Sequence, residues 1–181
     1  MIQGRSTGLR ARLPEDVPVL HSELYDDVTT RSRADTRPWA PIAAAGGNSP
    51  YEPGGPGGGE AFFSVVDRTS GELAGEALLW GIDTHNRNAH LGLSLRPAFR
   101  GRGFGTEVVQ LLCSYGFTVR GLRRLQLETL ADNAPMIAAA RRAGFALEGT
   151  LRGSAWVMGE FLDEVILGLP AAEWKPADWL H

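Results

Sequence analysis

The amino-acid sequence predicts an α/β fold of the α+β type: a mixed, mostly antiparallel sheet of six or seven strands flanked by helices. Three observations carry this reading. Residues 61–95 contain three apolar-rich runs separated by short turn signals, the pattern of an antiparallel meander. After Pro97 the apolar period lengthens to that of a helix. A strand pattern then returns at Leu125, and a strand–helix–strand order makes that crossover parallel.

The elements follow in order. Leu9-Arg10-Ala11-Arg12-Leu13 alternates with period two and reads as a first strand, and Pro14-Glu15-Asp16 opens a helix because proline and acids suit its first turn. Residues 27–60 show little periodicity. The Pro- and Gly-rich run from Pro50 to Glu60 predicts a flexible surface loop, set within residues 46–60 and bordering a cleft. The fifty residues before this run are too short and polar for a core of their own, so residues 1–181 are expected to form one domain. Ala61–Asp67, Leu73–Ile82 and Ala89–Leu95 are the meander strands, separated by Arg68-Thr69-Ser70-Gly71 and Asp83-Thr84-His85-Asn86. Gly105–Arg120 sets Val108, Leu112, Tyr115 and Val119 on one face of a helix of about 24 Å, ended by Gly121. Leu125 and Leu127 alternate with Gln126 and Glu128 in another strand. Asn133 is an N-cap with Pro135 in the first turn of a helix running to Gly144. Phe145–Gly149 and Phe161–Leu169 complete the sheet, and no internal repeat is present.

Composition narrows the function classes. The chain has 181 residues, 43% hydrophobic and 22% charged, with a formal net charge of −3. This slight acidity argues against nucleic-acid binding. Its longest apolar stretch, Val165–Ala172, falls far short of the ~20 residues that span a bilayer. Met1-Ile2-Gln3-Gly4-Arg5 lacks the apolar segment of a secretory signal, so the expected setting is cytoplasmic, with no membrane association. A single cysteine, Cys113, excludes an internal disulfide and a cysteine-based zinc site, and no metal is expected. All basic residues but Lys175 are arginine, as a GC-rich coding bias favouring Arg, Ala and Gly produces. Only arginines inside a motif are therefore assigned a function.

The segment that points to chemistry runs from Leu93 to Glu107. A strand enters a turn with glycines at 101, 103 and 105, and the turn opens a long helix. Glycines let backbone N–H groups crowd around an anion, and a helix N-terminus adds partial positive charge. Arg100 and Arg102 place mobile charge above the same spot. The combination suits a pyrophosphate. The glycine spacing departs from the dinucleotide fingerprint, and no lysine completes a Walker A loop. A merely tight strand-to-helix turn is the plain alternative. An RNA-binding Arg-Gly-Arg-Gly element is another, although this run is embedded between periodic elements.

Arg100-x-x-Gly103-x-Gly105, preceded by a strand and Pro97 and followed by a long helix, resembles the acyl-CoA loop of the GNAT N-acetyltransferase superfamily. The resemblance continues through Leu125-Gln126-Leu127-Glu128, Asn133 and Arg142-Ala143-Gly144-Phe145. It then reaches Glu148-Gly149-Thr150-Leu151-Arg152 and Asp163, which resemble the ribosomal-protein alanine N-acetyltransferase branch. The resemblance implies a sheet splayed between strands ending near Leu95 and Thr129. Pantetheine would enter that V against the backbone of Leu93, Ser94 and Leu95. Pyrophosphate would rest on the amides of residues 100–106, including Arg100, Gly101, Arg102, Gly103, Phe104, Gly105 and Thr106. Asn133 would approach the pantetheine arm. The implied activity is N-acyl transfer, from acetyl-CoA to a primary amine of a protein N-terminus or small molecule, by direct attack in a ternary complex. A CoA-binding regulatory module without catalysis is the alternative. Residues 61–170 would form the acyl-CoA core, residues 1–60 the acceptor side and residues 171–181 a tail. Homodimers are common in the family, and Trp174–Trp179 offers a segment that could pack on a neighbour.

A general base is needed because an amine is protonated at neutral pH. The resemblance assigns that role to Glu128, five residues before Asn133. His90, on the strand that leads to the loop, is the second candidate, and Glu76 a weaker third. Many relatives place a tyrosine acid where this chain has Ala140, and some in the ribosomal branch a serine where it has Met136. Tyr115 and Cys113 lie on the long helix, where core packing explains Tyr115 better. The oxyanion partner is expected to be the backbone N–H near Leu95 or Arg96. Trp39, Trp80, Trp156 and the Gly-Pro loop are candidates to line the acceptor cleft.

Overall fold

The structure, a computed structural model, describes residues 1–53 and 57–180. Among them eight strands form one sheet: β1 (Ile2–Gln3), β2 (Thr7–Ala11), β3 (Ala61–Asp67), β4 (Leu73–Asp83), β5 (Asn88–Leu95), β6 (Arg124–Leu130), β7 (Ala146–Val157) and β8 (Glu160–Pro170). Their spatial order is β1-β2-β3-β4-β5-β6-β8-β7, and β5–β6 is the parallel pair within it. The helices are α1 (Asp16–Leu20), α2 (Val28–Ala34), α3 (Phe104–Ser114) and α4 (Ala134–Arg142). None is long and apolar enough to cross a membrane. The strand count exceeds the expected six or seven because Ile2–Gln3, which pairs with Gly8 and Leu9, is too short to show a period.

Alternation along each strand sorts side chains onto two faces. Val65, Ala77, Leu79, Ala89, Leu91, Leu125, Leu127, Leu167 and Leu169 are buried on one face and join Val108, Leu111 and Leu112 of α3 in the main core. The opposite face carries Glu76, Leu78 and Trp80 of β4, set in register against Ser94, Gly92 and His90 of β5. Residues 1–53 cover part of this second face. Arg10 grips both carboxylate oxygens of Asp16, at 2.6 and 2.8 Å, and Ser64 Oγ donates to the same carboxylate at 2.6 Å. Arg12 reaches Glu76 at 3.0 Å. Above them Val17, Leu20, Leu24, Tyr25 and Tyr51 form a small apolar cluster that touches the sheet at Leu73. The N-terminal region is thus less polar in effect than its composition suggested, because its apolar residues gather on one side of α1 and the turn after it.

Several expected boundaries move, each for a local reason. The helix expected over 105–120 widens after Ser114: Arg120 N–H bonds to the Tyr115 carbonyl, five residues back, at 3.0 Å. The extra residue per turn rotates Val119 away from the core, leaving it 66% exposed. Gly116 occupies the contact instead, where a Cβ would come 3.1 Å from a Leu125 methyl carbon. The α2 segment shows no apolar period in the sequence because it buries no residue. It forms through its cap, Asp27, whose carboxylate accepts from Thr30 N–H at 3.1 Å. The strand expected to stop at Gly149 runs to Val157, with register shifts between Leu147 and Gly149 and between Leu151 and Ala155 that erase its alternation. Ser49 and Tyr51, inside the stretch expected to be flexible, are buried, and His21 Nδ1 holds Ser49 Oγ at 2.8 Å. Residues 54–56 of that stretch lie outside the described residues. The tail packs on its own chain, with Trp174 Nε1–H donating to Gln110 Oε1 at 3.2 Å.

One carboxylate ties the sheet edge to α3. Glu107 Oε1, in the first turn, accepts from the N–H groups of Ser6 and Thr7 at 2.9 and 2.8 Å and from Thr7 Oγ1 at 3.0 Å. Asp16 performs the corresponding task on the other face. Its burial raises the carboxyl pKa, but the hydrogen bonds from Arg10, Ser64 and the Leu13 N–H outweigh this and hold it at about 2. A folded-state value below the unfolded one gives stability that is present above pH ~4 and lost as the pH falls toward 2. Asp16→Asn is expected to destabilise the protein by about 1–3 kcal/mol at pH 7. In thermal denaturation followed by circular dichroism, its Tm deficit should shrink as the pH is lowered from 4 to 2.

Candidate active site

The parallel pairing of β5 with β6 covers three register pairs, Asn88–Arg124, Ala89–Leu125 and His90–Gln126. Beyond His90 the strands part. Leu91–Leu95 keep β4 on one edge but have no strand partner on the other, while β6 stays paired with β8 as far as Leu130. Buried backbone N–H and C=O groups need partners, so this free edge is suited to a linear chain carrying amides. A cleft of about 660 Å³ occupies the V, with Leu93 and Ser94 on one wall and Glu128, Thr129, Asn133 and Met136 on the other. The sequence-based expectation of a splay near residues 95 and 129 matches this geometry.

At its open end β5 passes through one tight turn, Pro97–Phe99, into the glycines. Gly101 and Gly103 have φ of +72° and +81°, the left-handed region that L side chains rarely enter, and Gly103 caps α3. A Cβ built on either meets no heavy atom within 4 Å, so the space above the turn is open. The first amides at the start of α3, from Gly103 through Phe104 to Thr106, lack acceptors one turn earlier in the helix. Together with the helix dipole they form an anion site. Phe99 and Phe104 are buried and stacked at 6.2 Å beneath the turn, and Gly105 lets α4 approach, with a built Cβ 3.9 Å from that of Ala139.

The arginines are less mobile than expected. Arg102 lies over Phe104 and Phe99, at 4.7 and 5.3 Å, and pairs with Asp67 at 2.9 Å. Arg100 Nε–H donates to the Leu95 carbonyl at 2.9 Å. Each of these hydrogen bonds uses one guanidinium nitrogen, so both arginines are held at the turn with further donors beside the backbone amides. The oxyanion expectation also narrows. Arg96 N–H is engaged by the Ala74 carbonyl at 2.9 Å, which leaves the Leu95 side of that pair.

Two of the candidate bases meet. His90 and Glu128 point from neighbouring strands onto the face away from α3, with His90 Nδ1 3.6 Å from Glu128 Oε1. His90 Nδ1 is buried without a hydrogen-bond partner, and Glu128 Oε1 accepts from Gln126 Nε2 at 2.8 Å. Trp80 stacks on His90 with ring centroids 5.3 Å apart and planes at 27°, and its ring lies 3.0 Å from a Cβ built on Gly92. The indole thus forms a floor beneath Gly92. Sequence reasoning missed Gln126 as a partner of Glu128, although two residues apart on one strand lie on the same face. Glu76 lines the cleft but is held by Arg12, and burial raises its pKa against that pairing. Asn133 caps α4 through Oδ1, which accepts from Met136 N–H at 3.3 Å, while Nδ2 donates to Thr129 Oγ1 at 2.9 Å. Thr129 was not singled out in the sequence.

The positions without an acid are equally informative. Ala140 is fully buried, and Met136 faces the cleft without a hydroxyl. Tyr115 packs edge-on against Phe63 at 5.0 Å, as its place in the core stripe predicted. Cys113 is fully buried, and burial pushes its thiol pKa up. Among the described residues no three His, Cys, Asp or Glu side chains cluster to hold a metal ion. Trp80 lines the main cleft, whereas Trp39 and Trp156 line a smaller adjoining one.

The chain is similar to known proteins. A spermidine N(1)-acetyltransferase of Escherichia coli K12 is 32% identical over 100 residues, 55% of this chain and 54% of that protein. A putative ribosomal N-acetyltransferase of Bacillus subtilis is 31% identical over 105 residues, 58% of this chain and 57% of that protein. The match spans between about half and two thirds of the length of these two relatives and of an uncharacterized N-acetyltransferase of Bacillus licheniformis. Among solved structures, a spermidine N-acetyltransferase from Vibrio cholerae in complex with CoA and spermine superposes with a TM-score of 0.79 at 20% identity, covering 93% of this chain and 97% of that one. At that identity the likeness concerns the fold. Residues 7–146, from β2 through the splay and the glycine turn to the end of α4, match the family described as the acetyltransferase (GNAT) domain, and the chain belongs to that family.

Proposed function

We propose that the protein transfers the acetyl group of acetyl-CoA to a primary amine within a ternary complex. The observation that carries this reading is the free β5 edge in the V, which ends at an open glycine turn and a helix N-terminus. The pantetheine arm pairs with the backbone of Leu93–Leu95, and the pyrophosphate rests on the amides of residues 100–106. Asn133, fixed by Thr129, lies along the opposite wall. Residues 61–170 bind the donor and residues 1–60 frame the acceptor, all within one domain. Relatives named for spermidine and for ribosomal substrates support an amine acceptor.

The amine enters from the face that bears Trp80, His90 and Glu128. Glu128 takes the ammonium proton, directly or through water, which leaves a neutral amine and a neutral carboxylic acid with the His90 ring 3.6 Å from the latter. The neutral nitrogen attacks the thioester carbonyl and forms the new C–N bond, then gives up its second proton to solvent as the C–S bond breaks and the thiolate leaves. With Ala140 and Met136 where relatives carry hydroxyls, the thiolate takes its proton from solvent, which a thiol pKa near 8.5 permits. We assign the reaction to the cytoplasm, where acetyl-CoA is available. We also propose a homodimer through the outer edge of β7, where Leu147 and Leu151 are exposed.

Glu128→Gln is expected to lower kcat by about 10²- to 10⁴-fold, measured as free-thiol release, with the acetyl-CoA Kd changed by no more than about twofold. Unchanged turnover would remove Glu128 from the mechanism. CoA binding without turnover on any amine would favour the regulatory-module alternative. Gly103→Ala, which forces a side chain into the left-handed region at a cost of about 1–2 kcal/mol, should weaken CoA binding about five- to thirtyfold in calorimetry. Gly58→Ala, at a glycine with open space and no positive φ, should leave it unchanged.

A further inference from the structure

A second cleft of about 320 Å³ adjoins the main one. Asp35, Thr36 and Arg37 line both, so the two spaces lie on either side of the loop after α2. The outer walls of the second cleft are Trp39, Trp156 and Met158. Trp156 and Met158, at the tip of the β7–β8 hairpin, are 58% and 61% exposed, and Met158 holds a left-handed φ of +49°. Large apolar groups displayed this openly beside a substrate cleft mark a binding surface. Both indoles are preset: Trp39 Nε1–H donates to the Tyr25 carbonyl at 3.0 Å, and Trp156 packs edge-on against Phe161 at 4.8 Å.

Charge decides what fits there. Among the described residues Asp35 is the one carboxylate lining the second cleft, and Arg31 and Arg37 already pair with it, at 2.5 and 2.6 Å. An acceptor with a distal ammonium would find no unpaired anion at this site. A flat apolar group would find two indole walls, and a cavity of ~150 Å³ already accommodates benzene. We propose that this cleft is a distal acceptor subsite for an aryl group, so that the preferred acceptor is a primary amine with an aromatic body. The proposal rests on the amine-acetylation reading and names the substrate class of that site.

The test titrates the CoA-saturated protein with phenethylamine, ethylamine and spermidine in calorimetry, a binding readout that needs no turnover. Phenethylamine should bind about ten- to hundredfold more tightly than ethylamine, as burial of one ring predicts, and more tightly than spermidine. Trp156→Ala should reduce the phenethylamine advantage to less than about threefold without changing the affinities for ethylamine and CoA, and Trp156→Phe should restore most of it. Because Trp156 is largely exposed, the fold should survive the change. Equal binding of the two monoamines, tightest binding of spermidine, or equal weakening of all amines in Trp156→Ala would overturn the subsite. So would a change from dimer to monomer on sedimentation of Trp156→Ala with amine affinities unaltered, which would make the tip a subunit contact. Thiol release with acetyl-CoA is measured in parallel. Aryl-amine binding without any release would refute acetyl transfer but leave the subsite standing, while release on ethylamine with no aryl preference would do the reverse.

Discussion

Two neighbouring strands that each keep a full complement of partners on their outer edges, yet share only three register pairs with each other, impose the geometry on which everything else depends. Because β4 holds β5 as far as Leu95 and β8 holds β6 as far as Leu130, neither strand frays after His90 and Gln126. They diverge as intact strands. The exposed edge is therefore rigid, lies in the middle of the sheet and faces its counterpart across a cleft. An unpaired buried backbone group costs about 1–3 kcal/mol, so such an edge favours a ligand that returns the lost hydrogen bonds.

The same divergence separates two tasks by direction. Along the strand the V opens toward Gly101 and Gly103 and the N-terminus of α3, where Glu107 fastens the helix to β2. Perpendicular to the sheet, alternation sends Leu125 and Leu127 into the core under α3 and Gln126 and Glu128 to the other side. In the proposed reaction donor binding would thus use backbone, and acceptor chemistry side chains. His90 lies at the apex of the V, stacked under Trp80 and 3.6 Å from Glu128, because it is the last β5 residue to pair with β6.

Features that depend on local pattern were legible in the sequence. The meander strands, the Asn133 cap, the glycine turn and the parallel crossover all carry short-range signals, and the order of the motifs led to the family. Features that depend on distant contacts were not. Arg102 reads as a free charge beside the turn until Asp67, 35 residues away, engages it. The polar α2 helix and the edge strand Ile2–Gln3 have no apolar period to find. The rotation that turns Val119 outward follows from one extra residue in a helical turn, which apolar spacing alone does not encode. The pairing of His90 with Glu128 depends on a parallel register that no local signal specifies, so the two appeared as rival bases although they lie side by side.

Hydrogen exchange measured by mass spectrometry, with and without CoA, tests the central claim most directly. If the free β5 edge and the glycine turn hold the pantetheine and pyrophosphate, amides in peptides covering residues 91–106 should slow markedly on CoA binding, with β7 unchanged. Saturating CoA that protects another surface while residues 91–106 exchange at their original rate would contradict the account.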